Sequence, residues 1–235
     1  MIMMIRLFDA LMWVLGFVEN DDDDDRIMNL KKNAVMVLRY IVHKESCKVI
    51  QWLKPDFFQT IIQVLIRKGN IPHRPRSIKV AALHILLDAC PYSKNRISMI
   101  EANVVFHLIE IGLETWEKKT TELVLGIIVH MCSSADGRAQ FLSHAGGVAM
   151  VAERLLKVSP AVDHKGLKIL ALICKYAGTG QVLNEMINVN AVTKLCMILQ
   201  ADSTDFSKEK ANEILRAHSN VWMNSPCIQV SNILF

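Results

Sequence analysis

"KVAALHILLDACPYSKNRISMIEANVVFHLIEIGLE", residues 79–114, consists of long apolar runs broken by one polar loop. Alone, it could be the private core of a small domain. Set beside the rest of the chain, it recurs. The segment 82–113, "ALHILLDACPYSKNRISMIEANVVFHLIEIGL", has a counterpart at 124–156, "VLGIIVHMCSSADGRAQFLSHAGGVAMVAERLL", and another at 169–199, "ILALICKYAGTGQVLNEMINVNAVTKLCMIL". Each reads as a long apolar helix, a polar loop, a short helix, a tight small-residue turn and another apolar helix. Cys90 and Arg96 fall on Cys132 and Arg138 at a shift of 42, and Asn103-Val104-Val105 falls on Asn190-Ala191-Val192 at a shift of 87. An earlier copy occupies 34–66, "AVMVLRYIVHKESCKVIQWLKPDFFQTIIQVLI", and a half copy occupies 209–222, "EKANEILRAHSNVW".

A unit of about 40–45 residues is in the range of armadillo and HEAT repeats. Such a unit cannot bury its apolar face alone, and stacked neighbours share one continuous core. The pattern of short helix, turn, helix, loop and long helix favours armadillo over the two-helix HEAT unit. The predicted fold is therefore all-α, an armadillo-repeat right-handed superhelical solenoid. Its predicted divisions are 1–28, an N-terminal helix with an acidic loop; 29–226, about four repeats with the last one partial; and 227–235, a tail.

Local signals agree with this division. Ser77 suits the cap of a helix starting near Ile78, and Pro91 suits the stop of that helix. Pro55 suits the first turn of the next helix in the earliest copy. Gly146-Gly147 should supply the sharp turn that Asn103 and Asn190 supply elsewhere, through positive φ. "ENDDDDDR", 19–26, reads as a solvated linker, because calcium needs spaced ligands and a Gly turn rather than a homopolymer. "RKGNIPHRPR", 67–76, reads as an exposed loop between repeats.

Composition sets outer bounds. Of 235 residues, 51% are hydrophobic and 21% charged, which suits an ordered chain. Gly numbers 10 and Pro 6, too few for a sandwich of many tight turns. A net charge of +4 without a clustered basic face does not point to nucleic acid. Cys47, Cys90, Cys132, Cys174, Cys196 and Cys227 show no C-x-x-C spacing, and most sit in apolar runs, so free thiols in a reducing compartment are expected. No Cys/His cluster has zinc-ligand spacing. "MIMMIRLFDALMWVLGFV", 1–18, carries Arg6 and Asp9 and fits an amphipathic helix better than a membrane span or a signal peptide.

Motifs for catalysis are missing. There is no phosphate-binding glycine loop and no G-x-S-x-G elbow. His84 and Asp88 share one helix face but have no nucleophile beside them. Function should reside in a surface, with no cofactor and no metal. In stacked helical repeats the third helices line the concave side, where ligands usually lie. The polar residues interrupting those helices are Arg39, Tyr40, His84, Asp88, Glu122, His130, Lys168 and Lys175. Asp88, His130 and Lys175 read as one recurring position.

Three passages carry a resemblance to a family. They are "LKPDFFQTIIQVL" with "ALHILLDACPYSKNRISMIEANVV", then "GRAQFLSHAGGVAMVAERLLKVS", then "KEKANEILRAHSNVWMNSPCI". Together they resemble the armadillo region of plant U-box E3 ubiquitin ligases, from about residue 30 onward. The element "W-x-N-S-P-C-I", Trp222 to Ile228, is the most specific. In that family the U-box recruits the ubiquitin-charged E2 and the repeats bind substrates or regulators. The stretch before the first good repeat is too short for a U-box, and Cys90-Pro91 ends a repeat helix, so no E2-binding residue carries over. The resemblance implies a substrate-binding module in ubiquitination, in a truncated paralogue, an incomplete gene model or a fragment; the expected location is the cytoplasm, with the nucleus as a further option. A stand-alone scaffold or decoy is the alternative. An importin-like transport receptor ranks third. Its Trp and Asn ladder positions would be His84 and Asp88, Gly126 and His130, and Ala171 and Lys175, while the tryptophans lie at 13, 52, 116 and 222.

Overall fold

A computed structural model describes residues 2–16, 25–44, 53–66 and 76–223. Among these residues every regular element is a helix. They divide into two compact units, Met1–His107 and Leu108–Phe235.

In the first unit, α1 (Ile2–Gly16) packs on α2 (Asp25–Lys44) and on α3 (Pro55–Ile66). The Phe8 and Phe57 rings stack at 5.3 Å. Long α4 (Arg76–Ala89) lies along α2 and also touches α3, while α5 (Ser93–Glu101) closes on α3. Its core is Val35, Leu38, Phe58, Ile61, Leu83, Ile85 and Leu86, all essentially without solvent contact. Each such side chain contributes about 1.5–3 kcal/mol by leaving water. Buried Asn95 stitches three elements together. Its Oδ1 accepts from Leu53 N at 3.1 Å, and its Nδ2 donates to Ala89 O at 3.2 Å.

The helix α6 (Val104–Glu114) runs from the end of the first unit into the second. The second unit continues with α7 (Lys118–Met131), α8 (Ala135–Ser143), α9 (Gly147–Arg154), α10 (Pro160–Ala177), α11 (Gly180–Asn188), α12 (Ala191–Gln200), α13 (Asp205–Ala217) and the short α14 (Ser219–Trp222). The order short helix, helix, long helix recurs as α8–α9–α10 and α11–α12–α13. Long helices pack side by side, α7 on α10 and α10 on α13, with α9 and α12 behind them. The chain starts most of these helices with a side-chain cap. Glu117, Ser134, Ser159, Thr179 and Thr204 accept from backbone N–H groups in the first turns of α7, α8, α10, α11 and α13. Pro160 sits at the start of α10, where its missing N–H costs nothing. Trp222, fully buried, meets His218 edge to face at 5.9 Å.

The repeat register is written in hydrogen bonds. Arg96 Nη1 donates to Cys90 O at 2.7 Å, and Arg138 Nη1 to Cys132 O at 3.0 Å. At Cys174, the next cysteine in the series, the carbonyl meets His218 Nε2 instead, at 3.0 Å. A second recurring contact satisfies the ends of the middle helices. Arg154 donates to Gly112 O and, at 3.1 Å, to Thr115 O, while Lys194 Nζ donates to Leu155 O at 3.2 Å. The last carbonyls of a helix lack intrahelical partners and carry the negative end of its dipole, so cations suit them.

The structure departs from the sequence expectations at four points. Ser77 lies within the first turn of α4, which begins at Arg76. Asp25 and Arg26 belong to α2, so only residues before them can form the acidic linker; residues 17–24 lie outside the described residues, as do 67–75 and the tail after Met223. Asn103 and Asn190 do take positive φ, 55° and 58°, but no glycine among the described residues does. Gly147 is required by space instead, since a Cβ there would stand 2.7 Å from Phe141 O. Finally, with Cys90, Cys132 and Cys174 in register at intervals of 42, Leu172 rather than Lys175 lines up with Asp88 and His130. Lys175 stands one turn further along. Leu156 adopts positive φ, 63°, a conformation no sequence signal announced.

Candidate functional site

The eight residues singled out from sequence fall four to each unit. In the first, Arg39 is half-buried on α2 and Tyr40 is exposed, with Lys44 Nζ 5.7 Å from its ring. His84 is half-buried on α4. Asp88 Oδ2 lies 3.2 Å from His43 Nδ1, so α2 contributes a partner that sequence reasoning missed. No motif marks His43; only the packing of α2 on α4 brings it there.

In the second unit, Glu122 is committed to holding helices together. Its Oε1 accepts from Ser159 Oγ at 2.7 Å, and its carbonyl accepts from Lys165 Nζ at 2.8 Å. This pins α7 to the start of α10. His130 is exposed near the end of α7, and its carbonyl accepts from Ser133 Oγ at 2.6 Å.

Lys168 and Lys175 lie on the outward stripe of α10, and each sits over an aromatic ring. Lys168 Nζ is 5.6 Å from the centre of the Phe206 ring, which α13 supplies. His164, one turn earlier on α10, stacks on the same ring at 3.9 Å. Burial first, then the charges of Lys168 and Lys165, hold His164 below the ordinary histidine range. Two turns after Lys168, Lys175 Nζ lies 5.3 Å from the Tyr176 ring, and Arg138 Cζ lies 4.8 Å from it. Cation–π contacts of this kind contribute about 0.5–1 kcal/mol at exposed sites. His164, Phe206, Tyr176 and Arg138 were missed from sequence, because only the pairing of α10 with α13 and α8 makes them neighbours.

Among the described residues no three His, Cys, Asp or Glu side chains gather as metal ligands. Burial pushes the thiols of Cys90, Cys132 and Cys174 up to about 12, which makes them inert core groups. A cavity of about 320 Å³ opens between the loops before α10 and α13, lined among others by Asp163, Ser159 and Thr204. Those three side chains are occupied, Asp163 accepting from Leu156 N and the other two capping helices. Among the described residues no single helix is long and apolar enough to cross a membrane.

A stack of three-helix units whose long helices present an outward polar and aromatic face is the armadillo arrangement. A computationally designed armadillo repeat protein for modular peptide recognition superposes with a TM-score of 0.72, covering 95% of this chain and 91% of its own at 14% identity. That likeness fixes the fold, an all-α armadillo solenoid. Residues 24–234 match the family model described as plant U-box protein ARM repeat region. The chain belongs to that family. Its match begins ahead of the predicted boundary at 29 and runs almost to the C-terminus. Among its relatives, E3 ubiquitin-protein ligase PUB24 of Arabidopsis thaliana is 33% identical over 96% of this chain and 55% of its own length. E3 ubiquitin-protein ligase PUB23 of the same plant is 31% identical over 86% of this chain and 48% of its own. The chain thus spans about half the length of the curated relatives it matches. What is shared with them is the armadillo region, a protein-interaction module.

Proposed function

We propose that this chain is the substrate-binding armadillo module of a U-box E3 ligase-like protein, acting in protein ubiquitination. The observation that carries the reading is the family match over 24–234, joined to relatives that are E3 ubiquitin-protein ligases. The structure supplies a physical basis for it. A rigid core holds long helices side by side, and their outward face offers cations and rings to a partner protein. A binding module would present the target, and a U-box would recruit the E2. Its free buried cysteines suit a reducing compartment, cytoplasm or nucleus.

The test is ubiquitin transfer in vitro with E1, a panel of E2 enzymes and tagged ubiquitin. The chain alone should give no conjugates. The chain fused to a U-box should modify proteins in a plant extract that a U-box fused to an unrelated helical protein leaves untouched. Conjugates from the chain alone, or identical targets for both fusions, would overturn the reading.

A further inference from the structure

We propose that the outward face of α10, with Phe206 and Arg138 beside it, binds an extended carboxylate-rich segment of the partner protein. This rests on the substrate-binding reading above and names the chemistry of the partner.

Three cations line that face, Arg138, Lys168 and Lys175, with the neutral His164 ring among them. Among the described residues none of them lies within ion-pair distance of a carboxylate. His164 and Lys168 contact the Phe206 ring, Lys175 and Arg138 the Tyr176 ring, and Arg138 also donates to Cys132 O. Three acidic groups nearby are engaged elsewhere, while Asp136 and Asp205 stand exposed in the first turns of α8 and α13. Glu122 takes the Ser159 hydroxyl, Asp163 takes Leu156 N, and Glu213 pairs with Lys210 at 2.5 Å. Arg138, Lys168 and Lys175 therefore keep charges that no ion pair neutralises. A cation over a ring still has its other side open to solvent, and Lys175 and Tyr176 are exposed. A carboxylate arriving from outside completes each cluster, while the rings offer flat apolar surface to the stems of Asp and Glu side chains. A basic peptide would meet like charge here, which discriminates against it.

Fluorescence anisotropy on the full chain tests this. The probes are a labelled Asp/Glu-rich peptide, a Lys/Arg-rich peptide of equal length, and an oligothymidine of matched negative charge. The acidic peptide should bind saturably, more weakly as salt rises, and more tightly than the other two. The double reversal K168E/K175E should weaken it about tenfold, as two exposed charge pairs would. The control K54E/K94E, with the same charge change on two exposed lysines elsewhere, should not. Circular dichroism should show all variants folded, since Lys54, Lys94 and Lys175 are exposed and Lys168 is half-buried with its ammonium over a ring. A basic peptide bound as tightly, an oligothymidine bound more tightly, no saturable binding, or an unaffected K168E/K175E would each overturn the proposal. None of these results bears on the U-box fusion experiment, which decides the parent reading separately.

Discussion

Arg138 reaches back from α8 to the carbonyl oxygen of Cys132, just as Arg96 reaches back from α5 to Cys90. Each guanidinium closes the end of a long helix by borrowing a donor from the next short one. Replacing Arg138 by Ala should lower stability by about 1.5–3 kcal/mol, the worth of a hydrogen bond to a charged group. Urea unfolding of R138A and R96A beside the parent chain would measure it. Equal midpoints would mean that water replaces the guanidinium at no cost.

Arg154 should matter more. Its side chain is fully buried, donates to Met150 O, Gly112 O and Thr115 O, and lies 4.6 Å from the Trp116 ring. Arg154→Met keeps the length of the side chain but strips donors from the Gly112 and Thr115 carbonyls at the end of α6. A loss of about 2–4 kcal/mol is expected, read as a fall in melting temperature.

Two glycines at helix starts should behave oppositely. At Gly147 a new Cβ meets Phe141 O at 2.7 Å, while at Gly180 nothing lies within 4 Å. Gly147→Ala should cost about 1–3 kcal/mol, because backbone must shift. Gly180→Ala should be neutral or stabilise by up to about 1 kcal/mol, through a less flexible unfolded chain. Paired thermal melts distinguish the two.

Thiol chemistry offers a check on the core. Burial pushes Cys90, Cys132 and Cys174 up to about 12, so at neutral pH their thiolate fraction is negligible. Iodoacetamide followed by peptide mass spectrometry should leave these three unmodified in the native chain and label them in urea. Rapid native labelling at Cys132 would mean that α7 opens in solution.

Asp163 sets a pH dependence. Burial raises its carboxyl above the ordinary aspartate range, against the opposing pull of the Leu156 N–H and Lys194. The folded form then holds its proton to higher pH than the unfolded form does. Stability from this group is greatest below the unfolded value and declines as pH climbs through the folded one. Asp163→Asn, which keeps an oxygen to accept from Leu156 N, should flatten that decline above the ordinary aspartate value. Denaturation midpoints across the acid range would show it, and parallel profiles for the two chains would argue against it.

The sequence by itself determined the repeating unit, the helix order and the family. These rest on local and periodic signals: apolar spacing, turn residues, and cysteine and arginine positions that recur at 42. Asn103 and Asn190 were legible as left-handed turns because their residue type tolerates that backbone. Gly147 was legible as important, but for the wrong reason, since a close approach to Phe141 O is a contact across a turn and not a property of one residue. Tertiary structure alone decided what the polar positions do. Glu122 became a strut because α10 places Ser159 against it, and Asp88 gained His43 because α2 lies along α4. Phe206 joined His164 and Lys168 from a helix some forty residues away. Helical periodicity says which residues share a face of one helix, and only packing says which faces meet.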